Sequence, residues 1–180
     1  MRLKESYFKN LSARKQIFSV LAFGWMVLIF CFSARPADLS TEDSNQIGRL
    51  IGQLVIDDFE QWDFAAQTEY AAGIDHFVRK TAHFVEYGVL GFLITGAVIT
   101  GGRFYFPGKC WLFGTLYAGS DEFHQLFVPG RSGQISDVLL DSAGVLSGVI
   151  LFVLILWEVK YLKEKKADRM ENRNLNLTEK

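Results

Sequence analysis

Residues 142–157 read SAGVLSGVILFVLILW, sixteen positions without a charge. A helix through this stretch is apolar on every side. A helix on the surface of a soluble domain instead shows one apolar stripe and one polar face. Residues 17–32, IFSVLAFGWMVLIFCF, repeat the pattern. Two further blocks lie between them. Residues 84–100, FVEYGVLGFLITGAVIT, carry only Glu86, and residues 110–120, CWLFGTLYAGS, are clean until Asp121. Each block falls short of the roughly 20 residues that a spanning helix needs. Each helix must therefore run on into polar neighbours, and three of the four draw ionisable groups into or beside the bilayer. The expected fold is all-α: an integral membrane four-helix bundle with helices at about 15–33, 78–100, 110–127 and 137–158, and an extracytoplasmic amphipathic helical segment within 34–77.

The composition agrees. Of 180 residues, 49% are hydrophobic and 16 are Phe, and the mean hydropathy is +0.14. A net charge of −1 gives no basic signal for nucleic acid, and Cys31 and Cys110 form no C-x-x-C pair. There is no glycine-rich phosphate loop and no internal repeat. Read as a cleaved leader, residues 1–32 lack a small-x-small site after Cys31, and Phe30 spoils a lipoprotein signal. The expected organisation is a membrane domain over 1–157 and a charged, solvated, partly disordered cytoplasmic tail over 158–180.

Lys and Arg bias sets orientation. The N-terminal tail (Arg2, Lys4, Lys9, Arg14, Lys15), the loop with Arg103 and Lys109, and the C-terminal tail together hold fourteen of the nineteen basic residues. Segment 33–77 has only Arg35 and Arg49 against nine acids. Both termini are expected in the cytoplasm of a multi-pass protein of the bacterial cell membrane, with 33–77 and the VPGRSGQIS loop outside. Cys31 and Cys110 then lie near opposite faces, too far apart for a disulfide. Within the outer segment, Ser40 and the acids after it mark a helix start. Ile47, Leu50, Ile51, Leu54 and Val55 form one stripe, to lie on the membrane surface or to pack on the bundle's outer end.

Depth places the charges together. At about 1.5 Å per residue, Asp121 stands about 16 Å above an inner boundary at Cys110. Counted the same way, Glu86 comes out near 20 Å, and His83 and Asp141 near 24 Å. All fall in the outer half of a core about 30 Å thick. Arg79, His83 and Glu86 share a face of the second helix, with Lys80 and Tyr87 beside it. Tyr117, Asp121, His124 and Gln125 share a face of the third, with Glu122 100° away. Asp137, Asp141, Gly144 and Gly148 align on the fourth. The two glycines form a small-x-x-x-small pair that favours close helix approach. Intramembrane charges are costly and mark function or pairing. The second, third and fourth helices are thus expected to enclose a polar pocket open to the outside. Trp25, Trp111 and Trp157 read as interfacial anchors, Tyr87 and Tyr117 as packing or interfacial rings, and Ser120 and Ser136 as bystanders.

Three motifs, FSARPADLS, RKTAHFVEYGVLGFL and YAGSDEFHQLFVPGRSGQISDVLLDSAG, resemble the VanZ-like family in content and order over most of residues 30–150. Ala34 and Arg35 replace the small polar residue and Gln of the family's more usual first motif. The resemblance implies an envelope protein that lowers susceptibility to teicoplanin-type glycopeptides. Three functions fit the pocket. In an enzyme acting on a membrane lipid or lipid-linked envelope precursor, His83 or Glu86 would be the base, with Asp121 or Glu122 as acid partner and Asp137 nearby. Lys80 and Arg131 would hold a phosphate, assisted by Gln125 and Asp141, with Gly130 and Gly133 letting the loop close. A non-catalytic binder would hold a head group or deny the antibiotic's acyl chain its anchorage. A transporter or scaffold has few helices to work with and no inverted repeat, an objection a homodimer would answer. No cofactor or metal is assigned, because DEFHQ and HFVE match no standard ligand spacing. A metal held by His83, Glu86, Asp121, Glu122 or Asp137 remains an open variant.

Overall fold

A computed structural model describes the backbone of residues 2–99 and 107–178 and the side chains of residues 13–99 and 107–170. Arg103 lies outside the described residues, as do Lys180 and the side chains of Arg2, Lys4, Lys9 and Arg173. The described chain is all-helical: α1 Arg2–Ser33, α2 Ala37–Val55, a 3-10 turn Phe59–Gln61, α3 Phe64–Val98, α4 Pro107–Gln125 and α5 Ile135–Thr178. Three helical stretches are long and apolar enough to cross a membrane: Ala13–Ser33, Phe64–Val98 and Ile135–Met170. They mark the chain as membrane-associated. Among the described residues, α4 falls outside that set; its 19 residues include Lys109, Asp121 and Glu122.

The boundaries follow local chemistry. α1 ends before Arg35-Pro36, because proline lacks an N–H and disfavours helix in the residue before it. α2 begins at Ala37, ahead of the expected Ser40. α3 starts at Phe64 rather than 78, so the outer segment 34–77 holds α2, the turn and the first turns of α3. Asp63 caps it: its carboxylate accepts the Ala66 N–H at 2.7 Å. α4 opens on Pro107, which suits the first position of a helix. α5 runs past 158 without a break. The tail expected to be partly disordered is rich in Lys and Glu, which are good helix formers. Its side chains are exposed as far as Met170, and Lys160 and Glu164 pair one turn apart at 3.7 Å.

Contacts fix the helix directions. Phe18 of α1 packs on Phe92 of α3 and Phe152 of α5. Ser33, at the other end of α1, meets Asp121, and the start of α4 lies by Ile94 and Val98. α1 and α4 therefore run one way, and α3 and α5 the other. The shared core takes Ala22 and Ile29 from α1, Tyr87, Leu90 and Ile94 from α3, Cys110 and Ala118 from α4, and Val145 and Val149 from α5. α3 and α5 make the most extensive contact. A Cβ on Gly148 would stand 1.8 Å from the Gly88 carbonyl oxygen, and one on Gly144 2.4 Å from that of Phe84. The expected small-residue pair thus sits at the closest crossing.

α2 packs on α3 through small residues. Ser44, Gly48 and Gly52 are buried, a Cβ on Gly48 would touch Ala71 at 3.0 Å, and the Ser44 hydroxyl donates to Asp75. Of the apolar stripe, Leu50, Leu54 and Val55 face outward, Ile51 is half-buried, and Ile47 is partly exposed on the side toward Phe32 and Val78, so most of the stripe does not pack on the other helices. Two of the expected interfacial anchors also serve inside. The indole N–H of Trp25 donates to the Glu86 carbonyl at 2.9 Å, and that of Trp111 to the Ser142 hydroxyl at 3.0 Å.

Candidate functional site

Asp121, on the last turns of α4, is buried where three helices meet. Its Oδ2 accepts from the Ser33 hydroxyl of α1 at 2.6 Å, from the Tyr87 hydroxyl of α3 at 3.0 Å and from the Gln125 amide at 3.3 Å. Glu122 points elsewhere, as a step of 100° dictates. Its Oε1 accepts the backbone N–H of Gln134 at 2.6 Å, at the entrance of α5. The two adjacent carboxylates therefore share no site, and neither is the partner of His83. That partner is Asp141: its Oδ1 stands 3.7 Å from His83 Nδ1, with Asp141 fully buried behind the ring. Neither Asp141 oxygen has a hydrogen-bond partner among the described residues. Lys80 pairs with Asp137 across α3 and α5.

Arg131 sits in the turn between α4 and α5. Pro129 and Gly130 occupy its two central positions, Gly130 with φ +74°, and the Arg131 N–H closes on the Val128 carbonyl at 3.1 Å; this is the sequence signature of a type II turn. Its guanidinium donates to the carbonyl oxygens of Arg35 at 3.0 Å and Phe32 at 3.4 Å, and to Gln125 Oε1 at 3.3 Å. The first two bonds clip the turn to the chain around the end of α1, where the Phe32 carbonyl also accepts the Arg35 N–H at 3.2 Å. Burial, and then the neighbouring Arg79 charge, hold its pKa below the usual arginine value.

Two chambers flank this arginine. The larger, about 380 Å³, opens between the end of α1, α2 and α3. Phe32, Ile47, Val78 and Ala82 give it an apolar side, and Arg35, Asp43, Arg79, His83, Glu86 and Arg131 a polar one. The smaller, about 200 Å³, lies between α3 and the α4–α5 turn, with Lys80, Gln125 and Asp137 on its wall. Arg79, His83 and Arg131 belong to both. The smaller chamber draws on the second, third and fourth bundle helices, as expected, together with Ala37, whereas α2 and the end of α1 form much of the larger one. Lys80, His83, Glu86, Gln125, Arg131 and Asp137 line a chamber, whereas Asp121, Glu122 and Asp141 stand behind the walls. Among the described residues, no group of three or more His, Cys, Asp or Glu is placed to hold a metal ion.

Ser33 and Arg35 had no site role in the sequence reading, Tyr87 was read as a packing or interfacial ring, and Arg79 was placed on the pocket face without a partner. Ser33 and Tyr87 complete the Asp121 hub. Arg35 pairs with Asp43 on the rim, and Arg79 pairs with Asp75 at 2.6 Å, the same carboxylate that Ser44 holds. The FSARPADLS motif was the available signal, since it brings Ser33, Arg35 and Ser40 to this end. His124 stays outside both chambers, its ring 4.5 Å from that of Phe30.

The VanZ/LLP1 family model matches residues 18–156. The chain belongs to the VanZ/LLP1 family. The VanZ-like region spans the chain from Phe18 in α1 to Leu156 in α5 and contains every residue of both chambers. The charged part of α5 beyond it lies outside the match. No curated protein and no solved structure matches the chain.

Proposed function

We propose that this VanZ-like chain is a multi-pass protein of the bacterial cell membrane, with both termini cytoplasmic, that binds an envelope amphiphile. Its ligand is a membrane lipid or lipid-linked precursor, held without turnover in the outward-facing larger chamber. Occupancy there lowers susceptibility to teicoplanin-type glycopeptides. One observation carries the reading: a chamber of about 380 Å³ with arginines on one side and apolar side chains on the other. That volume lies within the range of small-molecule sites, and the two-sided wall suits a ligand with a polar head and an apolar tail.

Helix order supports the topology. α3 ends at the opposite end from the one where α1 ends and α5 begins. If α1, α3 and α5 cross the bilayer, α4 must carry the chain back across it, which gives four passes, a four-helix membrane bundle and both termini on one side. The excess of Lys and Arg at that side supports calling it cytoplasmic. It also leaves α2 and the α4–α5 turn outside.

A second reading, an enzyme acting on the same amphiphile, is favoured by His83 on the shared wall with buried Asp141 at its Nδ1. At 3.7 Å the two fall short of a hydrogen bond; closed by a few tenths of an ångström, such a carboxylate would orient the imidazole for proton transfer. Teicoplanin susceptibility of a sensitive host, at matched membrane abundance, separates the readings. Wild type should protect. Ala82→Trp, which fills the larger chamber from its exposed rim, should abolish protection, while His83→Gln and Asp141→Asn should retain it. Loss of protection in His83→Gln and Asp141→Asn with amphiphile binding intact would favour the enzyme. A wild type that fails to protect would sink both.

A further inference from the structure

The larger chamber does not suit an anionic head group throughout. Glu86 lies on its wall, and the Glu86 carboxylate accepts no hydrogen bond among the described residues. An anion beside it would meet a like charge. The smaller chamber is different. Its lining sets Arg79, Lys80 and Arg131 against one carboxylate, Asp137, which Lys80 already holds.

Donor arithmetic sharpens the contrast. A guanidinium carries five N–H donors and an ammonium three. Arg131 gives three of its donors to neutral oxygens and none to a carboxylate, which leaves two. Lys80 gives one to Asp137 and also keeps two. Arg79 meets Asp75 through one terminal nitrogen, and Asp75 is not on the chamber wall. Arg79 and Lys80 are each paired with a carboxylate, so Arg131 supplies the charge on this wall that no ion pair offsets, and all three keep unspent donors around a space of about 200 Å³. A phosphate group, with its several acceptor oxygens and its one or two charges, matches that set.

We infer that the smaller chamber is a phosphate site. This deepens the proposed function and rests on it for the ligand's tail. The shared wall of Arg79, His83 and Arg131 lets one amphiphile place its phosphate in the small chamber and its apolar part along Val78 and Ile47. Glu86 then faces the uncharged part of the head, where hydroxyl groups would donate to it.

The test is calorimetric titration of the full chain in maltoside micelles. Its probes are dioctanoyl phosphatidic acid, dioctanoylglycerol and inorganic phosphate. Phosphatidic acid should bind at least about tenfold more tightly than dioctanoylglycerol, and Lys80→Gln or Arg79→Gln should weaken it by about tenfold or more. Competition by inorganic phosphate in wild type reads the site without any variant. If inorganic phosphate binds as tightly as phosphatidic acid, the phosphate site stands and its natural ligand is a free phosphate compound. Equal binding of the two lipids, insensitive to Lys80→Gln and to phosphate, would overturn the site and leave the amphiphile reading intact. No binding of any probe would overturn both.

Discussion

The Oδ2 atom of Asp121 collects donors from α1, α3 and its own helix, whereas the Glu86 carboxylate, one helix away, collects none among the described residues. The same chemical group thus does two jobs at one end of the molecule. Asp121→Ala would leave the Ser33, Tyr87 and Gln125 donors unpaired in a buried place, at a cost of about 3 kcal/mol. For a chain of this size, that corresponds to a fall in melting temperature on the order of 10 °C. Glu86→Gln breaks no bond and should stay within about 0.5 kcal/mol of wild type, while changing what the larger chamber binds. Thermal unfolding in one detergent checks both, and equal stability of the two variants would contradict this division. It also follows that Asp121 substitutions report on the frame first. Loss of protection in such a variant therefore needs a stability measurement beside it.

At the scale of elements, the glycines differ by what they face. A Cβ on Gly148 would stand 1.8 Å from a backbone oxygen of α3, whereas one on Gly24 would meet nothing within 4 Å. Gly148→Ala must push α3 and α5 apart, a typical overpacking cost of about 1–3 kcal/mol. Gly24→Ala should be neutral or stabilise by up to about 1 kcal/mol through helix propensity. Parallel melting curves check the pair, and equal effects would mean that the α3–α5 crossing is looser than described. The Gly144–Gly148 pair was legible because spacing alone puts both residues on one face. The start of α3 was not, because AAQTEYAAGID has neither the apolar run of a span nor a clear stripe, and the Asp63 cap is a single residue. The hub was half legible. Helical geometry separates Asp121 from Glu122, but only the tertiary fold says that one meets Ser33 and Tyr87 and the other the Gln134 amide. The larger chamber was not foreseen, for a related reason. Depth counting handled the apolar blocks and had no way to dock α2, whose packing face is Ser44, Gly48 and Gly52 rather than its hydrophobic stripe.

At the scale of the whole molecule, the exposed surface of the described chain is rich in large apolar side chains, from Val20 and Phe23 on α1 to Leu151 and Leu154 on α5. Such a surface is unusual for a monomer in water and ordinary against lipid. The helix directions then make one topology consistent with three apolar spans, because α5 begins at the end where α1 stops. The α4–α5 turn and the start of the charged tail should therefore lie on opposite sides of the membrane. In a Cys31→Ser background, where buried Cys110 is the remaining thiol, Ser132→Cys and Lys166→Cys place new thiols at exposed positions of the turn and the tail. A membrane-impermeant maleimide should label Ser132→Cys in intact cells and Lys166→Cys only after permeabilisation. The reverse pattern would invert the orientation and turn the two chambers toward the cytoplasm. Labelling of both from outside would mean that α5 does not cross. In the inverted case the common end of the helices would be an inner end, and the amphiphile bound there would have to come from the inner leaflet.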